Sequence, residues 1–92
     1  MAVTFPATET WDKQRNAVNF PADSEHGRVH CVIPRETLEE AFGIDPKIEV
    51  LEGFRSHRGK IERVAERLIR RRRLEKDGTV LIRAEDCRDD VR

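Results

Sequence analysis

The chain has 92 residues, and its 18 basic side chains are balanced by 18 acidic ones. With 37% hydrophobic residues it is too apolar for a disordered tail, and its length limits it to one domain with a small core. No stretch approaches the roughly 20 consecutive apolar residues of a membrane-spanning helix, and the amino terminus lacks a signal-peptide pattern, so we expect a cytoplasmic protein without membrane contact.

An N-terminal arm is predicted over residues 1–13, where segment 3–5 is suited to add a short strand to a sheet. A single α+β domain is predicted over residues 14–87, and a charged C-terminal tail over residues 88–92. Fraying is expected from Asp86 onward, because Val91 is the one hydrophobic anchor there.

Two strand-like runs follow the arm. The first, Ala17-Val18-Asn19-Phe20, is predicted to end at Pro21, which has no backbone N–H to donate within a sheet. The second spans residues 28–33 and becomes continuously apolar toward its end. The Gly-containing stretch between the two runs predicts an antiparallel hairpin.

A short helix is predicted after the second strand, because Pro34 suits a first turn and Gly43 suits the position after a last turn. A much longer helix is predicted over residues 47–74, with Asp45 as its N-cap. Its apolar residues fall on one face when they are spaced at 100° per residue. They are Val50, Leu51, Phe54, Ile61, Val64, Ala65, Leu68 and Ile69.

The long helix raises a problem of length. At 1.5 Å per residue it would extend about 42 Å, whereas a domain of this size is about 30 Å across. Either it bends, at Gly53 or Gly59, or its far end projects from the core and packs on something else.

A last strand is predicted over residues 79–83, after a turn at Gly78. The order β-β-α-α-β then predicts an α+β fold, with a three-stranded antiparallel sheet and the short and long helices on one face. The N-terminal arm is a candidate fourth strand. The open sheet edges and the over-long apolar helix predict a homodimer.

Several short motifs are spread over nearly the whole chain, between Phe5 and Asp86. They include Gly27-Arg28-Val29-His30-Cys31-Val32-Ile33, Arg35-Glu36-Thr37-Leu38-Glu39 and Phe54-Arg55-x-x-Arg58-x-x-Ile61. Together they resemble a family of short bacterial proteins known as domain of unknown function 1488.

That resemblance implies a small α+β fold and a bacterial cytoplasmic protein. It implies no activity and no functional residues. Two positions depart from the family pattern: Pro34 stands where a helix-capping Ser is usual, and Cys87 where an aliphatic residue or Phe is usual.

The zero net charge hides a strongly uneven distribution. Residues 1–46 hold 4 basic and 8 acidic side chains, residues 47–76 hold 11 and 5, and residues 77–92 hold 3 and 5. Five of the cations lie opposite the apolar face of the long helix, and we call them the basic face: Lys60, Arg63, Arg67, Arg70 and Arg71.

The basic face has two interpretations. Cations on one exposed strip can neutralise several phosphates, with an affinity that falls steeply as salt rises. Alternatively, they form a solvated or inter-subunit salt-bridging face, as the i,i+4 pair of Glu66 and Arg70 would favour. No aromatic residue lies among them to stack on a base.

Arg58 differs from these cations because it lies within the apolar face, between Phe54 and Ile61. A buried guanidinium must be paired, since an unpaired buried charge is very costly. Either Arg58 forms a buried ion pair, with a carboxylate such as Glu36, Glu39 or Asp45, or it is a bidentate anion clamp in a cleft.

The possible nucleophiles and metal ligands are His26, His30, His57, Cys31 and Cys87. His30 and Cys31 are neighbours on a strand and therefore point to opposite faces. No carboxylate pattern accompanies the histidines, and no Gly-rich elbow accompanies the cysteines. We therefore predict no catalytic, cofactor or metal site.

The sequence favours a non-enzymatic protein-interaction module that self-associates as a homodimer. The alternative is nucleic-acid or phosphate-ligand binding through the basic face of the long helix.

Overall fold

Four strands and four helices follow one another along residues 2–88, the part of the chain that the computed structural model describes. The strands are β1 (Thr10–Asp12), β2 (Ala17–Ser24), β3 (Gly27–Pro34) and β4 (Val80–Leu81). The helices are α1 (Arg35–Phe42), α2 (Val50–Ser56), α3 (Arg58–Arg70) and α4 (Ala84–Cys87). The sheet has the order β1-β2-β3-β4.

The predicted α+β class is confirmed, with the helices packed against one face of the sheet. Alternate residues of β2 and β3 enter the core, because successive side chains of a strand point to opposite faces. The core side chains from these two strands are Val18, Phe20, Ala22, Cys31 and Ile33, and those from the helices include Leu38, Phe54, Ile61, Val64 and Leu68.

The predicted hairpin is formed by β2 and β3, whose antiparallel register runs from the pair Ala17↔Pro34 to the pair Ser24↔Gly27. The prediction that the first strand ends at Pro21 is wrong. The N–H of Asp23 donates to Thr4, and backbone nitrogens two residues apart face the same side of a strand. The backbone nitrogen of Pro21 therefore points toward the N-terminal arm. The pairing of β1 with β2 extends only to Asn19, so Pro21 interrupts no hydrogen bond between these strands.

The N-terminal arm does supply a fourth strand, but not at residues 3–5. That strand is β1, which pairs with β2 and places Trp11 opposite Val18, while Thr4 makes one isolated bridge to Asp23. Trp11 is partly buried against the core. Val3 and Phe5 also pack against the core, so residues 3–5 contribute apolar contacts and that one bridge but no regular strand.

The last strand is shorter than predicted and parallel, not antiparallel. β4 pairs with β3 through Cys31↔Val80 and Val32↔Leu81, and the N–H of Ile82 donates to the carbonyl of Val32 at 2.9 Å. Three helices separate these strands in the chain, and such a crossover returns the chain to the start of the sheet, which makes neighbouring strands parallel.

The predicted helix over residues 47–74 is two helices that meet at His57. This residue has φ −117°, ends α2 and precedes α3, and its Nδ1 lies 3.2 Å from the carbonyl of Gly53. Its ring packs on Phe42 with centroids 5.6 Å apart. The break falls between the two glycines that the sequence suggested as hinges, because tertiary packing holds His57 out of the helix.

The N-cap of α2 is Glu49, not Asp45. Its carboxylate accepts hydrogen bonds from the backbone of Leu51 and Glu52 at 3.2 and 3.1 Å. Asp45 instead accepts from the N–H of Lys47 at 2.9 Å and so closes the preceding turn.

Because of the break, the longest described helix is α3, whose 13 residues extend about 20 Å and so fit within a domain of this size. The accessible surface is 5761 Å², and a compact monomer of 10.7 kDa is expected to expose about 5,500 Å². The argument for dimerisation from an over-long helix is therefore wrong for this chain.

The ends of α1 match the sequence signals. Pro34 occupies the N-cap without a side-chain hydrogen bond, as expected where a capping Ser is replaced. Gly43 follows the last turn with φ +64°, in the left-handed region that glycine adopts without strain.

The predicted fraying from Asp86 is wrong at its start. α4 buries Asp86 and Cys87, and the Asp86 carboxylate accepts from the N–H of Arg83 at 3.0 Å. Within the predicted tail, Arg88 is exposed, and residues 89–92 lie outside the described residues. Among residues 2–88, none of the helices has the length and apolarity needed to span a bilayer.

Candidate functional site

The basic face lies on the side of α3 that points away from the core. Lys60, Arg63, Arg70 and Arg71 are exposed and Arg67 is partly buried. The other side of α3 is buried and apolar, with Ile61, Val64, Ala65, Leu68 and Ile69. The 3.6-residue period of the sequence therefore separates these cations from the core.

Two of the five cations have partners. Arg70 pairs with Glu66 at 3.0 Å, and Arg67 donates from Nη2 to the carbonyl oxygen of Asp86. In contrast, no carboxylate of residues 2–88 lies within 4.0 Å of Lys60, Arg63 or Arg71. The face thus keeps a local excess of positive charge.

The surface around these cations is concave in two adjoining places. One depression of about 390 Å³ is lined by Arg63, Glu66, Arg67, Arg70 and Arg71. The other, of about 380 Å³, lies at the start of α3 and is lined by Ser56, His57, Gly59, Lys60 and Arg63. Arg63 lines both, so together they form one cationic strip along the helix.

This strip suits an extended anion better than a planar base or a buried substrate. Both depressions are shallow and open to solvent, and among their lining residues the one aromatic ring is His57. Cations without stacking platforms bind a phosphate backbone through charge and hydrogen bonds.

Arg58 is engaged inside the molecule, and its partners differ from those that the sequence suggested. Its Nη1 donates to Glu9, its Nε to Glu62 at 2.9 Å, and its Nη2 to the carbonyl of Pro6 at 3.2 Å. Glu39, one of the expected partners, pairs with Arg35 at 3.2 Å. Both arms of the guanidinium fork are therefore occupied.

Sequence reasoning missed Glu9. The side chain is 8% exposed, and Arg55 adds a second contact, from Nε to Oε2 at 2.6 Å. Hydrogen bonds from Arg58 and then Arg55 lower the pKa of Glu9 from 4.5 to about 2. One signal was present in the sequence: Glu9 is the first carboxylate of the arm and lies two residues before Trp11.

The remaining reactive residues do not form a joint site. Cys31 and Cys87 are buried, and burial raises the pKa of the Cys31 thiol to about 12. His26 and His30 are exposed, and His57 packs on Phe42. Within residues 2–88, no group of three or more His, Cys, Asp or Glu side chains could hold a metal ion.

Comparison with known proteins gives one consistent family. Residues 3–82 match the family model described as protein of unknown function (DUF1488). The "Uncharacterized protein YrdB" of Escherichia coli strain K12 is 35% identical over 79 residues, which cover 86% of this chain and 93% of that protein. The protein of the same description from Shigella flexneri is 34% identical, also over 79 residues, with the same coverage.

A solved structure shows the same architecture. It is the crystal structure of a protein of unknown function from the DUF1488 family of Shewanella loihica PV-4, which is 28% identical to this chain. The two superpose with a TM-score of 0.78, over 87% of this chain and 90% of the other.

Proposed function

We propose a function for this chain from the premise that it belongs to the DUF1488 family of proteins of unknown function. The protein is a non-enzymatic, cytoplasmic binding module, and the basic face of α3 binds the phosphate backbone of a nucleic acid.

One observation carries this proposal. Lys60, Arg63 and Arg71 lie along one concave strip of α3 and have no carboxylate within 4.0 Å in the described part of the chain. Like charges held together repel each other, and an extended polyanion relieves that repulsion while releasing its own counterions.

The rest of the molecule limits the strength of such binding. The chain as a whole is neutral, so long-range attraction to nucleic acid is weak and contact depends on the local strip. We expect little sequence preference, because contacts to phosphates position a protein without reading bases.

The test measures fluorescence anisotropy of labelled 20-nucleotide single- and double-stranded DNA and RNA at several salt concentrations. The wild type should bind at least one of them at low salt. Lys60→Glu/Arg63→Glu should weaken binding and flatten the salt slope by about 2. The new carboxylate at position 60 would lie in the first turn of α3, where negative charge favours the helix, and position 63 is exposed, so unfolding would not explain a loss.

The matched control is Lys13→Glu/Lys47→Glu, which makes the same charge change at exposed lysines away from α3. This double variant should keep most of the affinity. An absence of wild-type binding at low salt would overturn the proposal, and equal losses in both double variants would overturn the assignment to the basic face.

A homodimer is the second candidate function, and the sheet face away from the helices favours it. On that side His30 is exposed, and Asn19 and Leu81 are half-buried on either side of Val32, which is itself buried. Sedimentation equilibrium at micromolar concentration should then show a dimer that Leu81→Lys dissociates; a wild-type monomer would exclude it.

A further inference from the structure

A separate cleft lies between the turn of the β2–β3 hairpin and the C-terminal end of α3. Its volume is about 280 Å³, and it is lined by Ser24, His26, Val29, Ile69, Arg72 and Leu74. Ile69 is 8% exposed and Val29 is partly buried, so apolar side chains form much of its surface. Leu74 is 48% exposed, which is unusual for a large hydrophobic residue in the described chain.

Arg72 stands at a position that glycine normally occupies. The N–H of Arg72 donates to Ile69 and the N–H of Arg73 to Leu68, both at 3.0 Å, which is the Schellman pattern at the end of a helix. The pattern requires the left-handed region, and Arg72 has φ +56°. A side chain larger than hydrogen is strained in this conformation.

The guanidinium of Arg72 has no carboxylate within 4.0 Å among residues 2–88. Residues in sparsely populated backbone conformations cluster at functional sites, and the side chain of Arg72 lines a cleft. Arg72 therefore brings a positive charge, unpaired among residues 2–88, to a mostly apolar cleft that also carries the polar side chains of Ser24 and His26, and this combination defines the chemistry of the ligand.

We propose that this cleft binds a small amphipathic anion, namely a free carboxylate with a short apolar tail. Arg72 binds the carboxylate, and Val29, Ile69 and Leu74 cover the tail. The volume lies just below the range of roughly 300–1,000 Å³ that holds drug-sized ligands, so the tail is short. This site is independent of the basic face, which does not include Arg72.

The probe for the test is octanoate, followed by NMR titration of the backbone amides. Saturable one-to-one binding should shift the amide signals of Val29 and Ile69. Arg72→Gly should weaken binding by about tenfold or more, since a charge-assisted hydrogen bond is lost. Glycine suits the backbone at this position, so the variant remains folded and the loss reports on the guanidinium.

Three controls separate this proposal from its alternatives. Arg71→Ala removes a neighbouring charge that does not line the cleft, and Lys60→Glu/Arg63→Glu alters the basic face; both should bind octanoate as the wild type does. The neutral analogue 1-octanol should bind at least tenfold more weakly.

Four results would overturn the proposal: no saturable shift at Val29 and Ile69, unchanged affinity of Arg72→Gly, equal binding of 1-octanol, or binding to anionic lipid vesicles without binding of free octanoate. The two proposals fail separately. A wild-type protein that binds octanoate but no nucleic acid would refute only the basic-face proposal, and one that binds nucleic acid but not octanoate would refute only the cleft proposal.

Discussion

Glu9 and Arg58 form an ion pair between positions 49 residues apart in the sequence. The pair fastens the N-terminal arm to the start of α3, directly beside the break at His57, and Arg58 also lies over the Phe54 ring at 5.4 Å from its centroid. The guanidinium that the sequence placed within the apolar face is therefore part of the framework of the fold.

Substitution Glu9→Gln should lower the free energy of unfolding by about 1–3 kcal/mol, because Arg58 and Arg55 lose a charged partner in a mostly buried place. Urea unfolding monitored by Trp11 fluorescence measures the change. The control Glu40→Gln removes an exposed carboxylate on α1 and should stay within about 0.5 kcal/mol of the wild type. Similar effects of the two variants would contradict the role of Glu9.

Acid should destabilise the protein partly through Glu9. The pKa of this carboxyl is about 2 in the folded chain, whereas its ordinary value, which applies to the unfolded chain, is 4.5. The unfolded state therefore binds the proton first, and the stabilisation by ionised Glu9 is lost as pH falls from about 4.5 to about 2.

Unfolding free energies of wild type and Glu9→Gln between pH 2 and 7 test this. The two curves should converge toward the acid end. A constant gap over the whole range would show that Glu9 titrates normally in the folded protein.

The two glycines of the α2–α3 segment should respond oppositely to alanine. A Cβ on Gly53 would lie 2.7 Å from Cγ2 of Ile44, a buried side chain with little freedom to move, so Gly53→Ala should destabilise by about 1–3 kcal/mol. A Cβ on Gly59 meets nothing within 4 Å, and Gly59→Ala should stabilise by about 0.5–1 kcal/mol through helix propensity.

Thermal unfolding of both alanine variants, followed by circular dichroism, checks this pair. Equal shifts of the unfolding temperature in the same direction would show that Ile44 does not pack closely on Gly53.

Arg72→Gly should raise the free energy of unfolding by about 1 kcal/mol, because it removes the left-handed strain at the end of α3. Arg71→Gly, one residue earlier, should lower it, since Arg71 has φ −87° and gains nothing from the freedom of glycine. Chemical denaturation of the two variants gives the comparison, and a destabilised Arg72→Gly would refute the strain.

Both cysteine thiols should be unreactive in the native protein at pH 8. They are buried, and the pKa of Cys31 is about 12, so the reactive thiolate hardly forms. A colorimetric thiol reagent should report no rapidly reacting group before unfolding and two after addition of denaturant. Fast native labelling would show that a cysteine is accessible.

Local patterns were sufficient for much of the fold. Several signals each encode a backbone conformation within a few residues: the alternation in residues 28–33, the turn glycines at 27 and 43, and the proline at 34. The hairpin and α1 lie where these signals predict. The helical period likewise separated the cations of α3 from its apolar side, because both faces are set by one repeating angle.

The remaining features depend on contacts between distant residues. Pro21 stays within a strand because of where β1 ends, and α2 and α3 separate at His57 because of Phe42 and the backbone of α2. The direction of β4 follows from the crossover through three helices. No pattern within one element carries this information.

The sequence by itself therefore determined the family, the α+β class and the two faces of α3, since each follows from local spacing or from motifs. The tertiary structure decided which charges are compensated. An ion pair requires two side chains within a few ångströms, and only the folded chain brings Glu9 to Arg58 while leaving Arg63 and Arg72 without a carboxylate among residues 2–88.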